Sequence, residues 1–358
     1  MIFKPVHFFI FFFFITTFFG CSNNEKINSE PFVFKDRNYD HLIGQNNITI
    51  AFGSCFDQSK SFSIFEAIKN TYPDMLIMLG DNVYGDDHSG ELTKLKFAYE
   101  KQKDNFSLID LEFPIEAIWD DHDYGINDGG ADFINKEESK DLFLDFWDIP
   151  ESDIRNQRDG IYYDQIIQLN NSKIHLIYLD TRYFRGPLLK TDSFGSKGKE
   201  RYLPSNDESS SMLGETQWKW LDERLSLDSD IKIIVSAIQF LAVGHGWESW
   251  SMLPIEREKL INLIDKYNLN NVVFLSGDRH RGGIYKMKTK NENMIFDITS
   301  SPINSSTYPG EEDGIYRLGN TYTETNFGLV SINLISKSTS LELKDMFGNS
   351  VISEKLLH

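Results

Sequence analysis

The chain has 358 residues, 40% of them hydrophobic and 14% aromatic, an ordinary composition for a folded protein with a sizeable core. Its formal net charge is −18 and its pI is near 4.9, a field that repels nucleic-acid backbones, so no nucleic-acid partner is expected. The two cysteines, Cys21 and Cys55, exclude a disulfide framework.

The N-terminus opens with Lys4 and an apolar run from Phe8 to Phe19. Such a run is too short to span a bilayer, which needs about 20 residues, but suits the apolar region of a signal peptide. The ending "FFGC" resembles a bacterial lipoprotein cleavage box, in which the cysteine carries the lipid. Residues 1–21 are therefore expected to be a lipoprotein-type signal ending at Cys21, and residues 22–45 a polar tether. Localisation to the bacterial cell envelope, exported and held on the membrane by a lipid anchor, follows as an expectation. A monomer is expected, with the working domain over residues 46–358.

Along that domain the first elements are strand, helix, strand. "NITIAFGSC" (47–55) is a strand ending at Cys55, "SIFEAIKN" (63–70) has helical spacing, and "DMLIMLGD" (74–81) is a buried strand ending at Asp81. A βαβ unit implies two parallel strands whose carboxyl ends share one edge, where ligands gather in such sheets. A short strand then runs into "WDDHD" (119–123), and "KIHLIYLDTR" (173–182) ends at Asp180. Residues 190–211 are polar and predict an exposed loop. Helices are expected over 216–225 and 256–267, and strands over 231–240 and 271–280, the last stopping at Asp278 and His280. Alternation with period two over 327–335 and 340–352, with a turn at Gly348-Asn349, predicts antiparallel strands closing a sheet.

One Asp after a strand is usually a cap or turn residue. Here Cys55, Asp81, Tyr84, Asp121, Asp278 and His280 all lie at or just beyond strand ends. Gathered on one edge without cations, these groups would repel and raise one another's pKa values. Bound cations remove that penalty. Carboxylates suit Ca²⁺, Mg²⁺ or Mn²⁺, and a phenolate with a thiolate suits Fe³⁺ or another transition metal such as Zn²⁺, so the mixed set implies two or more metal ions. Two close metals are suited to phosphoryl chemistry.

Four blocks, "FGSC" (52–55), Gly80-Asp81-x-x-Tyr84, "WDDHD" (119–123) and "SGDRH" (276–280), resemble together the PhoD-like branch of the calcineurin-type metallophosphoesterases. The resemblance covers about residues 47–310. It implies an α/β fold, a four-layer α/β/β/α sandwich of two mixed sheets with helices outside. It implies metal-dependent hydrolysis of phosphate monoesters or diesters, with water activated on the metals and no covalent enzyme intermediate. It implies Fe³⁺ held by Cys55 and Tyr84, Ca²⁺ held by Asp121 and Asp278, and Asp81 bridging the two. His280 would complete the iron side or stand behind it, and His122 would donate to the phosphoryl or leaving oxygen.

Other residues admit two readings each. Gln239 stands where other branches carry a His, and is either an amide-oxygen metal ligand or a polar group at the core edge. Arg182 follows a strand end and either grips a phosphate oxygen or pairs with one of the many acids; Arg279 and Arg281 are ambiguous in the same way. Asn127 and Asp128 either hold a cation or form a turn, and His245 is read as a loop residue. Trp247, Trp250 and Tyr183 are candidates for a pocket rim. Two alternatives stand beside the phosphatase: a phosphodiesterase or phospholipase D-like enzyme acting on envelope polymers or lipids, and a catalytically silent calcium-binding surface lipoprotein.

Overall fold

A computed structural model of the chain describes residues 1–2, 32–308 and 314–357. The expected signal and the first part of the tether fall almost entirely outside the described residues. The second part of the tether corrects the boundary. Phe34, Tyr39 and Leu42 are buried in the main core, and the compact unit begins at Phe32 rather than near residue 46. Two aromatics and a leucine spaced through a polar stretch are hard to see as core, because no period marks them.

The elements in chain order are β1 (Asn47–Gly53), α1 (Ile64–Lys69), β2 (Met75–Leu79), α2 (Thr93–Ile109), β3 (Ile115–Ile118), α3 (Asp121–Tyr124), α4 (Lys136–Phe146), β4 (Tyr163–Gln168), β5 (Lys173–Tyr178), β6 (Leu189–Lys190), β7 (Tyr202–Leu203), α5 (Gly214–Leu225), β8 (Ile231–Val235), α6 (Pro254–Lys266), β9 (Val272–Ser276), β10 (Gly283–Lys288), β11 (Met294–Thr299), β12 (Asn326–Asn333), β13 (Ser338–Asp345) and β14 (Ser350–Leu357). They build two six-stranded sheets, ordered β14-β13-β12-β1-β2-β3 and β10-β11-β9-β8-β5-β4. Both are mixed. β1, β2 and β3 run parallel while β12 is antiparallel to β1; β5, β8, β9 and β11 run parallel between the antiparallel edges β4 and β10. This is the four-layer α/β/β/α sandwich the resemblance implied.

Strands buried on both faces split their side chains between two cores. In β8, Ile233 and Val235 belong to the cluster between the sheets, while Ile234 faces Trp218 and Leu221 of α5 and Leu260 of α6. In β9, Val273 and Leu275 point inward and Val272 and Phe274 outward. The first sheet is covered by α1, α2 and α4 through an aromatic cluster in which Phe106 meets Phe56, Phe34 and Trp147 at 5.2–5.6 Å between ring centroids.

The longest helix, α2, was not anticipated from the sequence. Its buried face, Leu95, Ala98, Tyr99, Gln102, Asn105, Phe106 and Ile109, has helical period but includes two amides. Those amides brace the loops beyond β1 and β2. Gln102 Nε2 donates to the Phe56 and Asn82 carbonyls at 2.9 and 2.6 Å, and Asn105 Nδ2 to the Gln58 carbonyl at 3.0 Å. At the C-terminal end, β13 and β14 form a hairpin across Gly348, whose φ is +85°. Among the described residues no helix is long and apolar enough to cross a membrane.

Candidate metal centre

Strands β1, β2, β3 and β9 end at one place. Two glycines allow it. A Cβ on Gly80 would lie 2.5 Å from Asp120 Cβ, and one on Gly277 would lie 2.5 Å from Ser54 Oγ. Each glycine precedes an acid, so close approach of strand ends delivers Asp81 and Asp278 to a shared floor. The residues delivered there have unusual backbones. Cys55, Asp81, Asp278 and His280 have φ of +59°, +51°, +63° and +52°. Non-glycine residues in the left-handed region are uncommon and cluster where side chains are aimed for a purpose.

Asp81 is the hub. Its Oδ2 lies 3.3 Å from Cys55 Sγ and 3.3 Å from Tyr84 Oη, and Tyr84 Oη lies 3.4 Å from His280 Nε2. Its Oδ1 accepts from the His122 backbone N–H at 3.3 Å. Ligand atoms of Cys55, Asp81 and His280 fall within 4.8 Å of one another, as do those of Asp81, Asp120 and Asp278, and those of Asp81, Asp121 and His122. One side of Asp81 thus carries sulfur, phenol and imidazole, and the other carries carboxylates.

The electrostatics fit cations in both places. Burial, then the neighbouring Cys55, pushes Asp81 well above the ordinary carboxylate range. Burial and then Asp121 push Asp278 up to about 6. Burial, followed by Asp278, pushes the Cys55 thiol up to about 11, and Tyr84 is raised by burial and by Cys55 and Asp81. Among the described residues, the buried oxygens Asp120 Oδ2 and Asp121 Oδ1 have no hydrogen-bond partner. A buried charge without a counter-charge is strongly disfavoured, and cations on either side of Asp81 would relieve each of these groups.

His122 sits on the cleft wall. Burial alone would lower its pKa, but the Asp121, Asp81 and Asp86 carboxylates overcome that and push it up to about 12. Its Nδ1 is 2.5 Å from Asp86 Oδ1 and its ring packs on Tyr84 at 4.3 Å. Asp86 therefore fixes the ring and leaves Nε2 as the nitrogen without that tie. Asp123 has a framework role. It accepts from the backbone N–H groups of Asp120, Asn82 and Asp81 at 2.6, 3.1 and 3.3 Å and stitches the ends of β2 and β3 together.

Sequence reasoning missed Asp86 and Asp120. Asp120 was passed over in favour of its neighbour Asp121, although both sit at the start of α3, where one turn aims adjacent side chains at one region. Asp86 lies in the loop after β2, and only proximity to His122 distinguishes it from the acids around it.

Two expected site residues are corrected. Arg182 does not reach the cleft. It is fully buried, with Nε 2.5 Å from Asp120 Oδ1 and Nη1 2.5 Å from Glu248 Oε2. Gln239 is likewise fully buried and donates through Nε2 to Tyr285 Oη at 3.0 Å and Thr299 Oγ1 at 2.9 Å, which ties its amide nitrogen into the second sheet, while its Oε1 has no hydrogen-bond partner among the described residues. Trp250 and Tyr183 are buried away from the cleft lining, while Trp247 lines it. His245 is buried and accepts from the Trp247 backbone N–H through Nδ1 at 3.2 Å, as a loop residue would. Asp128 takes Arg201 and Tyr202 on Oδ2, both at 2.7 Å. The resulting cleft has a volume of about 220 Å³, with Asp121, His122, Asp278 and His280 within and Trp247 and Tyr308 at its rim.

Comparison with known proteins agrees with this picture. A model of the PhoD-like phosphatase family matches residues 168–342. Alkaline phosphatase D of Bacillus subtilis (strain 168) is 24% identical over 306 residues, 74% of this chain. The chain spans about half the length of that relative, 50%. A solved structure of PhoD superposes with a TM-score of 0.66 at 17% identity, covering 88% of this chain and 69% of that one. GAP50, described as the anchor in the inner membrane complex of Plasmodium, superposes with a TM-score of 0.54 at 13% identity, covering 87% and 89%. At these identities the superpositions establish fold alone. The family model, the sequence relative and the four strand-end blocks thus agree in their likeness to PhoD-like phosphatases, the model over residues 168–342.

Proposed function

We propose that the chain is a metal-dependent phosphoric ester hydrolase working in the cell envelope, where the N-terminal segment would tether it. One observation carries this reading: two unlike donor sets meet on a single buried carboxylate, Asp81, behind a cleft lined by Asp121, His122, Asp278 and His280. Cys55, Tyr84 and His280 would hold one cation, read as iron from its soft and phenolic donors. Asp120, Asp121 and Asp278 would hold the other, read as calcium from its hard donors. Bound there, the pair would supply Lewis acidity to the phosphoryl oxygens and lower the pKa of the attacking water.

The chain's own residues do the rest. Asp81, common to both donor sets, would be shared by the two cations. His122, oriented by Asp86, turns Nε2 to the cleft to donate a proton to the leaving oxygen. The likeness to alkaline phosphatase D of Bacillus subtilis favours ester hydrolysis over a silent calcium-binding role.

The test uses p-nitrophenyl phosphate and its bis-aryl diester, with metal-replete and chelated protein and with Asp81→Asn. Chelation and Asp81→Asn should each abolish turnover, and elemental analysis should show that the variant has lost metal with it. The ratio of the two rates assigns monoester or diester preference. Turnover indifferent to chelation would overturn the proposal, and a metal-loaded protein inactive on both esters would leave the silent binder. Tyr84→Phe should remove any visible phenolate-to-iron absorption; iron without such a band assigns Tyr84 wrongly.

A further inference from the structure

The sulfur of Cys55, at the end of the first sheet, is enclosed by a segment that belongs to the second. Residues 300–305 follow β11 and close over the end of β1. The Ile303 N–H donates to the Ser54 carbonyl at 2.8 Å, and the Ser305 N–H to the Cys55 carbonyl at 3.2 Å. Ser301 lies inside that segment and is fully buried, with Oγ 3.1 Å from Cys55 Sγ and 2.9 Å from the His280 backbone nitrogen. One hydroxyl thus touches two residues of the same donor set, Cys55 and His280.

Its proton can be placed. A serine hydroxyl carries one proton and two acceptor lone pairs. The His280 N–H can only donate, so it occupies a lone pair of Ser301 Oγ and leaves the hydroxyl proton for another acceptor. Among the described residues, Cys55 Sγ is the acceptor in reach. Ser54 Oγ also stands beside the sulfur, but farther, at 3.5 Å, and with the Ser300 carbonyl competing for its single proton at 3.0 Å. A thiol gives up its proton when it takes a cation. The sulfur then has nothing to donate to Asp81 Oδ2 or the Asp278 carbonyl, at 3.3 and 3.8 Å, and can only accept. The Ser301 hydroxyl is already in place to supply that bond. Hydrogen bonds to a metal-bound thiolate withdraw electron density from it and so tune the ion it holds.

Resting on the two-cation reading above, we infer that Ser301 is a positioning residue of the sulfur-bearing seat. Its hydroxyl donates to the Cys55 thiolate and reduces the charge that the sulfur passes to a bound cation. The same oxygen holds the His280 backbone, so the two ligands are set against each other by one atom.

The experiment uses cobalt(II), added to the metal-stripped full-length protein, as the probe. A thiolate on cobalt gives a charge-transfer band whose energy follows the electron density on sulfur, whatever the activity. Ser301→Ala should move that band to longer wavelength, because a sulfur without its hydrogen bond gives up an electron more readily. The variant also frees the His280 N–H, which is why the band rather than stability is the measure. Ser54→Ala removes an equally buried hydroxyl beside the same sulfur and should leave the band in place. A band unmoved in Ser301→Ala, or moved as far in Ser54→Ala, overturns the inference while the two-cation reading stands. Should Ser301→Ala fail to fold, the bond is read in the unsubstituted protein and in Ser54→Ala: transfer to D2O should displace the cobalt–sulfur stretch of both in the Raman spectrum. A stretch indifferent to D2O, or displaced only while Ser54 is present, refutes the donor role. Cobalt bound without any sulfur band removes Cys55 from the seat, and the two-cation reading falls together with the inference.

Discussion

Arg182→Met tests the clearest departure of the structure from the sequence pattern. Arg182 is 0% exposed and its partners Asp120 and Glu248 are 1% and 3% exposed. Its loss leaves Asp120 without its cation, whereas Glu248 keeps Arg185 at 3.0 Å. The damage is therefore that of one broken buried pair rather than two. Removing one partner of such a pair costs about 3–5 kcal/mol, because the remaining charge stays buried and uncompensated. Methionine fills much of the same volume, so a cavity adds little. At roughly 2 °C per kcal/mol for a chain of this size, the melting temperature should fall by about 6–10 °C. Thermal and urea unfolding of chelated protein, in which no metal ion replaces the guanidinium beside Asp120, measure it, alongside KM of the metal-replete protein for an aryl phosphate. A variant that melts with the wild type but binds ester more than tenfold worse would mean that Arg182 reaches the phosphate, and the buried-pair argument would be wrong.

Two further variants examine the cleft and the framework. Asp86→Asn should lower turnover by about 10–100-fold at unchanged metal content, the usual effect of a residue that orients a functional group. His122→Ala should lower it by about 10²–10⁴-fold. Because Asp86 acts through His122, the double variant should match His122→Ala; additive losses would separate the two residues. Lys232 donates to the Leu227 carbonyl at 2.6 Å and to Ser229 Oγ at 2.8 Å, and burial lowers its pKa from 10.5 to about 8. Between those values the unfolded chain binds the extra proton, so stability relative to Lys232→Met should rise with pH from about 8 to 10.5. A difference in melting temperature that stays flat across that window would contradict the buried environment assigned to Lys232.

The parts of the fold visible in sequence are those where hydrophobicity runs unbroken. β1, β2 and β9 are largely buried apolar runs with a sharp end, and the residue just past the end is the one the site uses. That is why Cys55, Asp81 and Asp278 were found and are neighbours. The same logic failed at Arg182 and Gln239. Position after a strand says that a side chain is near the edge, but not whether it turns to the cleft or back into the protein. Asp120 satisfies Arg182 from another strand, and Thr299 and Tyr285 satisfy Gln239 from β11 and β10; no local pattern encodes those partners. α2 escaped for a related reason. Gln102 and Asn105 interrupt its apolar stripe because they are buried to hold loops rather than to fill space.

The two ion seats draw Cys55, Asp81 and Asp120 from one sheet and Asp278 and His280 from the other. Neither half of the sandwich owns a complete seat. Ions bound in those seats would be shared by the two halves, so metal occupancy should report their docking. Loading should in turn clamp them together, and a chelator should loosen the sandwich at its seam before it melts either sheet.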